Sequence, residues 1–203
     1  EQKVESGGFD VVTTLDLPKQ QEAERIVSEA AGSTLKRAGA SNAALVTIDP
    51  KRGEIIAMVG SVDYFQSQFG AFNVATASRQ PGSSFKPIVY SAAFKEKYNP
   101  ATTLFDLRTD FGTYTPDHFD GGFRGPVTIR QALGNSLNIP AVKVLGLIGV
   151  EDALKNAENL GITTLTDKDR YGLSLVLGGG EVKLTELTGA YGVFANNGTL
   201  MPT

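Results

Sequence analysis

Residues 79–87 read Arg79-Gln80-Pro81-Gly82-Ser83-Ser84-Phe85-Lys86-Pro87, and the rest of the chain is best understood outward from them. Pro81-Gly82 interrupts the chain just before Phe85, Ile88, Val89, Ala92, Ala93 and Phe94 recur at helical spacing, which predicts a helix over 83–98. Ser83 then falls at the helix N-terminus, and Lys86, three residues on, shares its face. An unassisted serine hydroxyl is a poor nucleophile at neutral pH and needs an adjacent base. A lysine serves if burial or nearby positive charge lowers its pKa. The helix N-terminus adds free N–H groups and a partial positive charge for a developing oxyanion. Pro87 breaks a local rule, because a proline this early in a helix removes a hydrogen bond unless it lies in the first turn. Such violations gather at functional sites. The plainer account is a capped helix start, since four-residue patterns of this kind arise often by chance.

A second small polar cluster lies in Leu133-Gly134-Asn135-Ser136-Leu137-Asn138-Ile139-Pro140. Ser136 and Asn138 are two apart, a spacing that aims both side chains one way in an extended or turn segment. A hydroxyl beside a Ser/Lys pair relays a proton towards a leaving group, and an amide both donates to and accepts from a peptide-like substrate. The plainer account here is a helix N-cap before Ile139-Pro140.

Around these clusters the pattern is α+β. Residues 1–8 read as a linker and 9–203 as the domain. Phe9 to Leu15 alternates β-formers and is expected to be a strand. Ala23, Ile26, Val27, Ala30, Ala31 and Leu35 predict a helix over 18–37, opened by Asp16 and Pro18. Two apolar runs, 43–48 and 54–59, flank Asp49-Pro50-Lys51-Arg52-Gly53 and predict a hairpin covered on both faces by helices. Residues 61–78 and 99–126 read as irregular, and short helices are expected near 128–135, 139–148, 151–160 and 183–196. Residues 198–203 look like a turn leading into another strand. Strands and helices without regular βαβ alternation indicate α+β.

The bulk numbers exclude several classes. The chain has 203 residues, 41% hydrophobic and 20% charged, as in an ordinary globular domain. Its net charge of −3 has the wrong sign for a nucleic-acid binder. No apolar run approaches the roughly 20 residues that span a bilayer, and no signal peptide is read, so a soluble domain is expected, as would be one cut from an anchored protein. Without cysteine there is no disulfide, thiolate or Cys-ligated metal. The single histidine, His118, lies in a polar loop, and no Gly-x-Ser-x-Gly elbow accompanies it, so it reads as a solvated loop residue rather than a triad base.

Taken together the two clusters resemble motifs of penicillin-binding proteins. Ser83-Ser84-Phe85-Lys86, between Pro-Gly and Pro, is similar to their Ser-x-x-Lys motif. Ser136-Leu137-Asn138, running into Ile-Pro-Ala-Val, is similar to their Ser-x-Asn motif, 53 residues after Ser83. Val12-Thr13-Thr14-Leu15-Asp16, the segment 125–133, and the stretches 177–182 and 190–198 resemble the bifunctional (class A) members. The resemblance implies an α+β penicillin-binding/serine β-lactamase-like transpeptidase fold, an antiparallel sheet flanked by helices. Ser83 would attack the carbonyl between two terminal D-alanines of a peptidoglycan stem peptide, with Lys86 as general base. Ser136 would pass the proton to the leaving nitrogen, Asn138 would hold a substrate amide, and the Ser83 N–H would serve the oxyanion. β-Lactam antibiotics would acylate the same serine. No metal or organic cofactor and no nucleic acid is implied, and the family works outside the cytoplasmic membrane.

The family's third motif, Lys-Thr-Gly or Lys-Ser-Gly, does not occur among the 203 residues. In the family it binds the substrate carboxylate, and its strand supplies the second oxyanion donor. The expectation is therefore of a domain whose C-terminal strands are missing, inactive or nearly so alone, with a complementary C-terminal fragment as a partner. A β-lactamase shares the acylation logic, but no Glu stands in the loop context that would hold a deacylating water. A carboxypeptidase differs by transferring to water. A penicillin-binding sensor or inactive binding domain is the non-enzymatic alternative.

Overall fold

The computed structural model describes residues 7–66, 68–112, 114–117 and 121–203. His118 lies outside the described residues. The first helix, α1 (Leu17–Ala30), starts where Asp16 accepts from the Lys19 N–H and Pro18 occupies the first turn. It continues through a π-helical turn, Ala31–Leu35, and a last turn, Lys36–Ala38, closed by left-handed Gly39. The predicted helix is thus present, and Ala23 and Val27 form a small core with Ala57 and Val59 of the hairpin.

The hairpin is also present, with β1 (Leu45–Ile48) antiparallel to β2 (Ile55–Val59) and a register shift between Thr47 and Ile48. Its turn closes through Gly53 N–H to Asp49 O at 2.8 Å, with Gly53 at φ +75°. α1 packs on β2, and the later helix α6 (Leu184–Ala195) packs on β1. The strand expected over 9–15 does not form. Val11 and Val12 are largely exposed, and the segment touches β2 through Thr14 Oγ1 to Ile55 O and Asp16 N–H to Ile56 O. Further along that edge the Gln20 side chain takes the place of a strand, accepting from Met58 N–H at 2.8 Å and donating to Met58 O at 3.1 Å. With those backbone groups already satisfied, alternation alone gives residues 9–15 no ladder to join.

The main core forms around two central helices. α2 (Lys86–Lys95) buries Ile88, Val89, Tyr90, Ala92 and Ala93 against α4 (Asn138–Ile148) and α5 (Val150–Asn159). Each fully buried Ile, Leu or Val contributes about 1.5–3 kcal/mol. Asn156 of α5 is buried and fully used, donating to Ile88 O and Ser91 Oγ and accepting from Lys95 Nζ at 2.6 Å.

Two strands form where residues 99–126 read as irregular, the second running on to Thr128. β4 (Thr103–Asp106) pairs antiparallel with β5 (Gly125–Thr128), and buried Asp106 accepts from Arg124 N–H at 3.0 Å. Both strands are four residues long and Pro126 sits in one, so neither carries a strand pattern in sequence. A third ladder joins β3 (Ser78–Arg79) to β6 (Val182–Lys183). The class is α+β, with the antiparallel pairing divided among three two-stranded ladders. Residues 200–203 form no strand and lie against the hairpin turn, where a Cβ on Gly53 would sit 2.1 Å from Pro202 O. Among the described residues no helix is long and apolar enough to cross a membrane.

One close approach fixes the position of residues 79–87. Gly178 has φ +91°, and a Cβ there would lie 2.2 Å from the Gly82 backbone nitrogen. Gly178→Ala is therefore expected to lower stability by about 3 kcal/mol through left-handed strain plus overpacking. Gly172→Ala, at φ −118° with open space around it, is expected to change stability by under about 0.5 kcal/mol. Urea unfolding of the two variants checks both values.

Candidate active site

Ser83 lies in a 3-10 turn, Gly82–Phe85, directly before α2. Neither start, of the turn or of α2, carries a side-chain cap, so the serines are not there as caps. Pro87 falls in the first turn of α2, where its missing N–H costs the helix least. The two serines differ in use. Ser84 Oγ turns back to donate to Pro81 O at 2.5 Å, whereas Ser83 stands exposed.

Lys86 is 1% exposed, yet its ammonium group meets three oxygens. It donates to Ser136 O at 2.6 Å, to Asn138 Oδ1 at 2.8 Å and to Ser136 Oγ at 3.1 Å. The two clusters read 53 residues apart in sequence are thus joined at one nitrogen. Burial pushes the Lys86 pKa down from 10.5 to about 8. The three acceptors work the other way, because an ammonium offers three N–H donors and the neutral amine two.

Backbone geometry explains how Ser136 reaches this place. α3 (Ile129–Gly134) begins with a capping box between Thr128 and Gln131. It ends with Leu137 N–H to Ala132 O at 2.9 Å and Ser136 N–H to Leu133 O at 3.0 Å. That is a Schellman closure, whose left-handed residue is ordinarily glycine. Here it is Ser136, at φ +53°. A serine in this region costs about 1–2 kcal/mol relative to glycine, a local strain that turns both its hydroxyl and its carbonyl towards Lys86. Asn138 is the first residue of α4, and the N-cap, Leu137, has no side-chain cap bond. The N-cap account of this cluster therefore fails.

A further contact had no sequence signal. Asn138 Nδ2 donates to the Asp117 carbonyl at 2.8 Å. A carbonyl only accepts, so the Asn138 amide must direct its oxygen to Lys86. Because the partner is backbone, no residue type announces it. A cavity of about 270 Å³ lies against the Gly82–Phe85 turn, with Arg79, Pro81, Ser84 and Val182 in its wall. A cavity of about 640 Å³ lies elsewhere, between α1 and residues 58–73. Its size says nothing about chemistry, since none of the four site residues lines it.

Residues 43–203 match the family model described as the penicillin binding protein transpeptidase domain. The chain belongs to this family. Penicillin-binding protein 1C of Escherichia coli is 36% identical over 191 residues, covering 93% of this chain and 24% of that protein. Penicillin-binding protein 1F of Bacillus subtilis is 38% identical over 197 residues, 95% of this chain and 26% of that protein. The chain thus spans about a quarter of the length of these curated relatives. Among solved structures, penicillin-binding protein 1A of Haemophilus influenzae superposes with TM-score 0.70 at 32% identity, over 80% of this chain and 25% of that one. PonA1 of Mycobacterium tuberculosis, solved with penicillin V, gives TM-score 0.85 over 99% of this chain and 55% of that one. At 23% identity that likeness concerns the fold.

Lys86 supplies a sign-specific prediction for this transpeptidase-family site. Its folded pKa lies below its unfolded value, so between pH 8 and 10.5 the unfolded chain binds more protons and rising pH stabilises the fold. The unfolding free energy of the parent minus that of Lys86→Met is expected to rise by about 3 kcal/mol across this window. Denaturant titrations at stepped pH measure the difference.

Proposed function

We propose that this domain, residues 9–203 after a short linker, performs the acylation chemistry of a D,D-transpeptidase through an acyl-serine intermediate. The observation that carries the reading is the convergence of Ser136 and Asn138 on the Lys86 nitrogen beside the Ser83 turn. In this account Lys86 first loses a proton and one of its three donor bonds. The freed lone pair then takes the Ser83 proton as the hydroxyl oxygen attacks the carbonyl of a D-Ala-D-Ala terminus. Ser136, already bonded to Lys86, gives its proton to the departing D-alanine nitrogen and takes in exchange the one Lys86 received from Ser83. The Ser83 N–H, in the turn before α2, offers one oxyanion donor. The acyl group passes to the amine of a second stem peptide, forming the cross-link. With a β-lactam the same attack opens the ring and leaves an acyl-serine.

Asn138 takes a different part in the resting site from the one the resemblance implies. Both ends of its amide are engaged, by Lys86 and by the Asp117 carbonyl.

The 203 residues contain no Lys-Thr-Gly or Lys-Ser-Gly, the triad whose strand supplies the second oxyanion donor in the family. Loss of one oxyanion donor lowers rates by about 10²–10³. The chain by itself is accordingly expected to acylate slowly, with full activity requiring a strand that carries such a triad, from a complementary fragment or further chain. The working location is the extracytoplasmic face of the membrane, where peptidoglycan stem peptides and β-lactams are met.

Incubation with a fluorescent penicillin, read by gel and intact mass, tests the reading. The expected result is slow covalent labelling that increases as pH rises through about 8, the pH at which Lys86 sheds its proton. Ser83→Ala and Lys86→Ala are expected to lose it. Label surviving in Ser83→Ala would remove Ser83 as the nucleophile.

A further inference from the structure

We propose that Tyr191 is a positioning residue for Ser83, its hydroxyl bracing from behind the turn that presents the nucleophile. The proposal rests on the reading of Ser83 given above and adds a residue that neither motif contains. Tyr191 lies on α6 and donates through its hydroxyl to the Ser84 carbonyl at 2.7 Å, across 107 positions of sequence. The reason that carbonyl takes an outside donor lies in Pro87. Where a 3-10 turn continues, the carbonyl of residue 84 accepts from the N–H of residue 87. Proline has no N–H, so the turn reaches its third residue without that bond. Tyr191 supplies a donor at this point.

Two further contacts come from the same stretch of chain. Arg79 and Ser78 pair with Val182 and Lys183 just before the turn. Gly178 approaches Gly82 so closely that a Cβ would meet its backbone nitrogen at 2.2 Å. The stretch 178–191 thus touches the nucleophile segment before, at and after Gly82, while the Ser83 side chain stays exposed. Burial raises the Tyr191 phenol above its ordinary pKa, so the hydroxyl keeps its proton and goes on donating over the pH range in which Lys86 titrates. Tyr191 acts through the Ser84 peptide and not on the reacting atoms. Its effect is on where the Ser83 oxygen stands, and misplacement of a reacting atom by about 1 Å can lower a rate by about 10².

The test is Tyr191→Phe in the full chain, read in two ways. Hydrogen–deuterium exchange at residues 82–86 is expected to quicken about fivefold to tenfold, the scale of one neutral hydrogen bond, with α4 unchanged. The maximal rate constant for penicillin acylation is expected to fall by a similar factor. The concentration for half-maximal rate should stay at the parent value, and the melting temperature should fall by no more than about 2–4 °C, the scale of one hydrogen bond. Unchanged exchange at 82–86 would overturn the brace whether or not the chain acylates, so failure here is separable from failure of Ser83 as nucleophile, which the Ser83→Ala label reports. Faster exchange with an undiminished maximal acylation constant would also overturn it. Tyr191→Leu distinguishes the ring from the hydroxyl: impairment in Leu alone, with Phe at parent level, would assign the effect to packing and reject the proposal.

Discussion

A single buried ammonium group organises this site. Lys86 sits at the start of a core helix, 1% exposed, and a charge there is tolerable because three oxygens surround it. Removing the oxygens would leave an unpaired charge in the core, and removing the charge would leave Ser136 and Asn138 without the group they face. Burial and hydrogen bonding oppose each other at this nitrogen. Burial brings its pKa down to about 8, close enough to neutrality for the proton to leave and return.

The surrounding fold accepts local strain to hold that arrangement. A Schellman turn that would be relaxed with glycine carries Ser136 at φ +53°. The Asp117 carbonyl fixes the sense of the Asn138 amide, and Asp106, buried at the end of β4, accepts from Arg124 N–H at the far end of the connection that contains Asp117. Gly178 and Tyr191 reach the Gly82–Phe85 turn from the opposite part of the chain. The site is therefore assembled from segments remote in sequence. α2 and α4 supply its lysine and asparagine, the α3–α4 turn its second serine, and the stretch 178–191 its backing.

Much of this could be read before any coordinates, and the parts that could not have identifiable causes. The helices beginning near 17, 86, 138, 150 and 184 are legible because apolar positions recur at helical period or fall between clear turn residues. The hairpin was plain from its Asp-Pro-Lys-Arg-Gly turn. Residues 9–15 misled because alternation records a preference for extended backbone and not the presence of a partner. β4 and β5 were missed because four residues with a proline carry too little pattern to separate from loop. At the site, residue types exposed Ser83, Lys86, Ser136 and Asn138 through their spacing. The Asp117 carbonyl and the Gly178 approach escaped because backbone groups have no letter in the sequence. Tyr191 could have been suspected from Pro87, since a missing N–H leaves a carbonyl in need of a donor.

The central claim is that Lys86 is a buried amine able to change protonation state near neutral pH. The most direct measurement is an NMR titration of its ε-methylene group in the folded chain, assigned by its loss in Lys86→Met. The account predicts a midpoint at about 8, with accompanying shifts at Ser136 and Asn138 as one of three donor bonds is released. A midpoint at or above the ordinary 10.5 would contradict it, because Lys86 would then remain an ammonium ion with no lone pair to offer Ser83.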